Sequence, residues 1–154
     1  MSHDQRIVLR TLGVTALVIG VCYFALLGWL MHLGSNAKNY LDATVPVIVS
    51  KWEPGDFLKE TDGRYRGADD QATLQKMYRV FRALGQLHSY GGSTGTVELT
   101  YHPPFGVLLH GTFVSQSQFD KGPATITVSI HKADGRWYID NLQMKSKALF
   151  SDDA

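Results

Sequence analysis

Residues 119 to 139 read FDKGPATITVSIHKADGRWYI, and this stretch decides the predicted fold. Every second residue from Ala124 to Ile130 is apolar, and the residues between them are Thr or Ser. This is the period-two pattern of a β-strand with one buried face. Asp134-Gly135 is a strong signal for a two-residue hairpin turn. Trp137 and Ile139 then predict a second strand whose apolar side chains lie on the same face as those of the first.

Two further strands are predicted upstream by the same alternation. One runs from Val97 to His102, and the next continues from Val107 to Phe113 after a turn at Pro103-Pro104. Four strands joined by short turns predict an antiparallel meander, with one face against helices and the other in water. The inward register is apolar apart from Tyr101 and Asn141, and the outward register includes Glu98, Thr100, His102, His110, His131, Tyr138 and Asp140.

Two amphipathic stretches before the strands predict helices. The first has Leu41, Val45, Ile48 and Trp52 on one face at helical spacing, and Pro46 is expected to kink or locally unwind it. The second begins at Asp69 or Asp70, carries an apolar stripe from Leu74 to Leu84, and is expected to extend toward His88. The predicted fold class is therefore α+β, with helices packed on a curled four-stranded antiparallel sheet.

A long apolar segment occupies the N-terminal part of the chain. Residues 11 to 33 read TLGVTALVIGVCYFALLGWLMHL, which at about 1.5 Å per residue covers the roughly 30 Å hydrocarbon core of a bilayer. A cleaved signal peptide is the alternative, but its apolar core is normally about 7–15 residues. We therefore predict a short cytoplasmic tail at 1–10, a transmembrane helix at 11–33, a soluble domain at 34–150 and a frayed tail at 151–154.

Charges around this segment predict its orientation. Arg6 and Arg10 precede it, whereas Lys38 is the only basic residue that follows closely. The positive-inside tendency then places the N-terminus in the cytoplasm and the soluble domain on the translocated side, such as the periplasmic face of a bacterial inner membrane. The only cysteine, Cys22, lies inside the apolar segment, so the soluble domain can form no disulfide.

The charge balance also bears on partners. The chain has 15 Lys and Arg against 14 Asp and Glu, and the two signs are mixed along the soluble part. Nucleic-acid binding normally needs a basic patch that displaces counterions from phosphates, so no nucleic-acid partner is expected. The expected partners are other membrane proteins and membrane lipid. No cofactor and no small-molecule substrate are expected.

Helices followed by an antiparallel sheet resemble the cystatin-like or nuclear-transport-factor-2-like superfamily. The resemblance covers about residues 36 to 146, and the hairpin quoted above, ending in Trp137-Tyr138-Ile139, is similar to the last hairpin of many such domains. Such a domain on a single anchor is similar in layout to an inner-membrane type IV secretion subunit and to the cytochrome oxidase assembly factor 1 family. The resemblance to these two implies a binding or assembly role, although the superfamily also includes isomerases and dehydratases.

Three groups of residues are candidate partner-binding sites. Gly13, Ala16 and Gly20 form a groove of small residues that would let another membrane helix approach closely. Lys76, Arg79 and Arg82 form a basic helix face suited to an acidic partner or anionic headgroups. His102, His110 and His131 share the outward sheet face, and the first two would be neighbours if their strands pair around Pro103-Pro104. Zinc needs three or four ligands, so no metal site is predicted.

No catalytic residue is predicted. Tyr101 and Asn141 are the only inward residues with polar atoms, and such groups more often satisfy a nearby backbone group than perform chemistry. The space between helix and sheet is expected to be filled by apolar side chains. The leading interpretation is a non-enzymatic scaffold, assembly factor or accessory subunit of a membrane complex. The alternative is a module that holds an apolar ligand or lipid between helix and sheet, lined by Tyr78, Phe81, Phe113 and Trp137.

Overall fold

The computed structural model describes residues 3–63, 70–104 and 106–149. The chain divides into two compact units, Met1–Ser35 and Asn36–Ala154. One long helix, α1, runs over His3–Lys51 and contributes to both units. The segment predicted as a short tail is therefore already helical from His3 onward. The frayed tail predicted at 151–154 lies outside the described residues.

The first unit consists of the N-terminal part of α1. Most of its described large apolar side chains between Val14 and Met31 are exposed. By length and composition this helix near the N-terminus is long and apolar enough to cross a membrane. Its exposed apolar surface is what a lipid-facing helix presents, because lipid tails solvate such side chains without cost.

The second half of α1 belongs to the second unit and is almost wholly buried on one face. The predicted stripe of Leu41, Val45, Ile48 and Trp52 is at most 3% exposed. The first three confirm the helical pattern, whereas Trp52 directly follows the helix with a φ of 50°. The predicted unwinding at Pro46 is wrong, since the helix continues through it to Lys51. Burying each large apolar side chain contributes about 1.5–3 kcal/mol, which together offset the roughly 3 kcal/mol cost of a proline inside a helix.

Two shorter helices follow α1. Helix α2 covers Pro54–Lys59 and begins with its proline in the first turn, where the missing N–H costs nothing. Helix α3 covers Asp70–Arg82, so its predicted start is confirmed but it ends earlier than predicted. Gly85 stops it with a φ of 82°, and the Gln86 backbone N–H then donates to the Asp120 carboxylate instead of continuing the helix.

The sheet has five antiparallel strands, one more than predicted. They are β1 at Leu87–Tyr90, β2 at Thr94–His102, β3 at Gly106–Phe119, β4 at Gly122–Ala133 and β5 at Arg136–Lys145. Strands β3, β4 and β5 pair in order, and β1 and β2 pair with opposite ends of β3. The extra strand, β1, occupies the stretch that we had expected to continue the helix toward His88.

The apolar face of the sheet and the helices form one core. Trp52 lies at its centre, with ring centroids 5.6 Å from Tyr78 and 5.2 Å from Phe81.

The apolar inward residues predicted for β4 and β5 are buried, and the Asp134-Gly135 turn joins these strands as predicted. The inward position predicted for Asn141 is wrong: a register shift in β5 leaves it exposed and buries Leu142 instead. The prediction was wrong for the outer half of β2, where Leu99 and Tyr101 are exposed. This strand lies at a sheet edge, and neither residue belongs to the core or packs against it.

Candidate functional site

A pocket of about 500 Å³ opens between helices α2 and α3 and the sheet. The helices contribute a mainly apolar wall of Phe57, Leu58, Leu74 and Met77. The strands contribute polar groups, including Thr100, His110, His131, Asp140 and Asn141.

The aromatic residues predicted to line an apolar-ligand cavity are instead buried together in the core and do not line this pocket: Tyr78, Phe81, Phe113 and Trp137. The ionisable groups of the pocket come from the outward register of the sheet, not from the inward face that was predicted to be filled by apolar side chains. The helices approach part of the outward register that was expected to face only water.

A β-bulge in β5 places Asp140 at the pocket. Ile130 of β4 lies opposite Ile139, whereas the preceding residue Ser129 lies opposite Asn141. Asp140 is therefore the extra residue of the bulge and has no direct partner across the ladder. Bulges re-aim side chains and are frequent near functional sites. Here the bulge allows the Asp140 carboxylate to reach His131 on the neighbouring strand.

His131 lies buried between two carboxylates. Its Nδ1 is 2.5 Å from Asp140 Oδ1, and its Nε2 is 3.5 Å from Asp62 Oδ2. The side chain of His131 is only 3% exposed. Its ring also stacks on Tyr138, its cross-strand neighbour, with centroids 5.6 Å apart. The predicted solvated position of His131 on the outer face is therefore wrong, because the segment after α2 covers it.

The segment after α2 is tied to the edge of β5 through Glu60. The Ile139 backbone N–H donates to the Glu60 carbonyl at 2.8 Å. The Glu60 carboxylate accepts hydrogen bonds from the Tyr40 hydroxyl at 2.8 Å and from Arg136 at 3.2 Å. The Glu60 carboxylate also raises the pKa of Arg136. These contacts hold the following turn against the sheet, and Asp62 thereby reaches His131.

The two contacts of the His131 ring differ in length. Nδ1 is within hydrogen-bond distance of Asp140 Oδ1, so this contact fixes the Asp140 carboxylate against the ring. The 3.5 Å between Nε2 and Asp62 Oδ2 is longer than a typical direct hydrogen bond.

His110 completes the polar end of the pocket. It lies directly across the ladder from His131 and from Glu98. Its Nε2 is 3.7 Å from Asp140 Oδ2, and its side chain is 39% exposed. The Asp140 side chain is 25% exposed. Asp140 and His110 are therefore the more exposed ionisable groups of the pocket lining, while His131 also lines the pocket but is only 3% exposed, and Asp62 is not among the lining residues.

The structure separates the three predicted histidines. His110 and His131 are cross-strand neighbours, whereas His102 is paired with Gly106 at the far end of the β2–β3 hairpin. The predicted proximity of His102 and His110 is therefore wrong. The side chain of His102 lies outside the described part of the structure. Among the described residues, no group of three or more His, Cys, Asp or Glu is arranged to hold a metal ion.

The other two candidate sites are exposed. Lys76 and Arg79 lie on the exposed face of α3, while Arg82 donates a hydrogen bond to the Trp52 carbonyl at 2.9 Å. Arg82 thus caps the end of α1, a role that the sequence pattern did not indicate. At Gly13 and Gly20 an added Cβ would meet no atom within 4 Å, and Ala16 is exposed. Binding of a partner at either surface stays a prediction.

Asp62 and the role of Asp140 were missed by the sequence reasoning. One signal for Asp140 is present in the sequence: the apolar residues of β5 fall at Trp137, Ile139, Leu142 and Met144, so one interval is three instead of two. Such a slip in alternation indicates a bulge. Asp62 carries no comparable signal, because an acid in a polar turn is usually solvated.

No family model, no curated protein and no solved structure matches this chain. The resemblance to cystatin-like or nuclear-transport-factor-2-like domains, and the curl of the sheet that it implies, therefore stay predictions.

Proposed function

We propose that this chain is a membrane-anchored protein whose soluble domain binds a small apolar molecule. The observation that carries the proposal is the pocket of about 500 Å³ between α2, α3 and the sheet. Ligand pockets are typically about 300–1,000 Å³ in volume, mostly apolar, and contain a few polar groups that orient the ligand. The wall of Leu58, Leu74 and Met77 beside Asp140 fits this description. The apolar helix would keep the domain at a membrane, where apolar molecules concentrate.

Binding of naphthalene to the full chain in lipid nanodiscs tests the proposal. Methyl groups of Met77 and Leu74 line the pocket, so 13C-labelled Met and Leu report on its occupancy. We expect saturable shifts of these methyl signals, after subtraction of the naphthalene that dissolves in nanodiscs without protein. Unsaturable or absent shifts at both methyls would overturn the proposal.

A matched pair of substitutions localises the binding. Thr96 and Thr100 are both exposed residues of β2 and lie four residues apart on the same face, but only Thr100 lines the pocket. Trp is favoured in strands, so both positions should tolerate it. We expect Thr100→Trp to weaken naphthalene binding at least tenfold and Thr96→Trp to leave it unchanged. Equal effects of the two substitutions would show that the probe binds elsewhere.

A scaffold or accessory subunit of a membrane complex is the second candidate function. Leu99 and Tyr101 on β2 are 57% and 70% exposed, which is unusual for neighbouring large apolar side chains on an edge strand. In this second proposal the N-terminus is cytoplasmic, and β2 offers its edge to another protein on the translocated side. The chain purified from gently solubilised membranes would then run in an assembly that Leu99→Glu dissociates. Recovery only as a free monomer would eliminate this candidate.

A further inference from the structure

The polar end of the pocket has a defined hydrogen-bonding pattern. Asp140 Oδ1 is occupied by His131 Nδ1 at 2.5 Å, so the other oxygen, Oδ2, is the one directed toward His110. His110 Nε2 lies 3.7 Å from that oxygen. Direct hydrogen bonds of this type are about 2.7–3.2 Å long, so this distance leaves both atoms able to bond a third group.

The position of Asp140 is held through both its backbone and its carboxylate. Its backbone is set by the bulge between Ile139 and Asn141, and its carboxylate is held by the buried ring of His131. That ring in turn stacks on Tyr138, and its other nitrogen lies 3.5 Å from Asp62 Oδ2. A carboxylate that is held in this way directs its second oxygen without further loss of side-chain freedom when a ligand binds.

The two facing atoms have opposite hydrogen-bonding roles. A carboxylate oxygen only accepts hydrogen bonds, and the Asp140 charge favours the His110 tautomer that carries its proton on Nε2. The site therefore presents one acceptor and one donor a few ångströms apart. A hydroxyl group donates one hydrogen bond and accepts another through a single oxygen, which matches both. An ammonium group only donates, so it could bond Asp140 but not His110. A carboxylate only accepts, so it could bond His110 but not Asp140.

We infer that the pocket selects an apolar alcohol, whose hydroxyl donates to Asp140 Oδ2 and accepts from His110 Nε2. The apolar body of the molecule lies against Leu58, Leu74 and Met77 on the helix side. This inference rests on the proposed ligand-binding function and adds the chemical class of the ligand. His131 acts as a positioning residue in it, because its Nδ1 holds Asp140 Oδ1, and Asp62 lies near the other nitrogen of that ring.

Four probes that share one ring system test the inference. They are naphthalene, 2-naphthol, 2-naphthylmethylammonium and 2-naphthoate, each titrated into the full chain in nanodiscs and corrected for partition into nanodiscs without protein. Hydrogen bonds to charged groups typically contribute tenfold or more in affinity, so we expect 2-naphthol to bind about tenfold tighter than naphthalene. Tighter binding of the ammonium or carboxylate probe than of 2-naphthol would overturn the inference.

Substitution of His110 separates the hydroxyl contact from the fold. His110 is partly exposed, and Phe keeps an aromatic ring while removing the Nε2 donor. His88 provides the matched control, since it also faces an aspartate but on an exposed strand away from the pocket. We expect His110→Phe to abolish the preference for 2-naphthol over naphthalene and His88→Phe to preserve it. A preference that survives His110→Phe would overturn the assigned contact.

The outcomes distinguish this inference from the function on which it rests. If naphthalene and 2-naphthol bind with equal affinity and both shift the methyl signal of Met77, the pocket binds ligands but does not select a hydroxyl. If neither compound shifts that signal, the ligand-binding function itself fails.

Discussion

Two His–Asp pairs in this domain have the same contact distance and opposite surroundings. His131 Nδ1 lies 2.5 Å from Asp140 Oδ1, and His88 Nε2 lies 2.5 Å from Asp120 Oδ1. The His131 side chain is 3% exposed, whereas that of His88 is 59% exposed. Water and salt screen the exposed pair, so its attraction contributes little, while the buried pair interacts in a medium of lower dielectric.

The neighbours of each pair explain what it does. Asp120 accepts the backbone N–H of Gln86, and this bond together with His88 lowers the pKa of the Asp120 carboxyl. The exposed pair therefore fastens the segment before β1 to the turn after β3. The buried pair has a second carboxylate, Asp62, behind it and a pocket in front. Contact distance alone does not identify a functional pair; burial and the third partner do.

Substitution of each histidine in turn should give the largest difference in the free energy of unfolding. His131→Ala removes a buried ring that hydrogen-bonds the Asp140 carboxylate and stacks on Tyr138, and losing one partner of a buried hydrogen bond typically costs about 1–3 kcal/mol, in addition to the lost packing. His88→Ala should cost a small fraction of this, because both of its groups are solvated. Urea unfolding of the full chain followed by Trp fluorescence measures both. Equal costs would show that burial does not distinguish the pairs.

A glycine substitution should break the exposed pair with an intermediate effect. Gly85 has a φ of 82°, and a Cβ there would overlap the Asp120 carboxylate. Gly85→Ala should therefore cost the left-handed strain, about 1–2 kcal/mol, plus the displacement of Asp120. Gly106 has the same φ of 82° with no atom within 4 Å of an added Cβ, so Gly106→Ala measures the strain alone. An equal loss in the free energy of unfolding for both variants would argue against the Asp120 contact.

The smallest effect concerns the pH dependence of the exposed pair. The pKa of Asp120 is lowered below its usual 3.8, chiefly by the Gln86 N–H and then by His88. A carboxyl with a lowered folded-state pKa stabilises the fold above its unfolded-state pKa, and this contribution is lost as pH falls through the folded-state value. We therefore expect Asp120→Asn to lower the free energy of unfolding at neutral pH. The difference from the unsubstituted chain should disappear as the pH falls through the folded-state pKa of Asp120.

Carboxyl 13C titration by NMR checks the assignment of causes. In His88→Gln the midpoint of Asp120 should rise but stay below 3.8, since the stronger cause, the Gln86 hydrogen bond, persists. A midpoint at or above the usual value in this variant would mean that the histidine, not the backbone, controls the carboxyl.

Much of the fold follows from local patterns in the sequence. Alternation from Ala124 to Ile130, the Asp134-Gly135 turn and the helical stripe through Trp52 all predict elements that the structure contains. Local patterns were misleading where a neighbour overrode them. Residues 87–90 form a strand because β3 extends far enough to pair with them. The helix continues through Pro46 because burial of Val45 and Ile48 outweighs the cost of a proline inside a helix.

The candidate site could be predicted only in part. His110, His131 and Asp140 were recognised as sharing one face of the sheet, but they were expected in water. Two events changed their surroundings: the bulge at Asp140, and the closure of the segment after α2 over His131. The first leaves a trace in the spacing of apolar residues, whereas the second depends on contacts between distant parts of the chain.

The sequence by itself determined the apolar N-terminal segment, the α+β class and the alternation that sorts strand residues onto two faces, because each of these depends on the spacing of neighbouring residues. Only the tertiary structure decided that Asp62 meets His131, 69 positions apart in the printed sequence, and that a pocket opens beside them. Hydrophobic periodicity assigns a side chain to a face. What covers that face depends on loop closure and register, which no local pattern encodes.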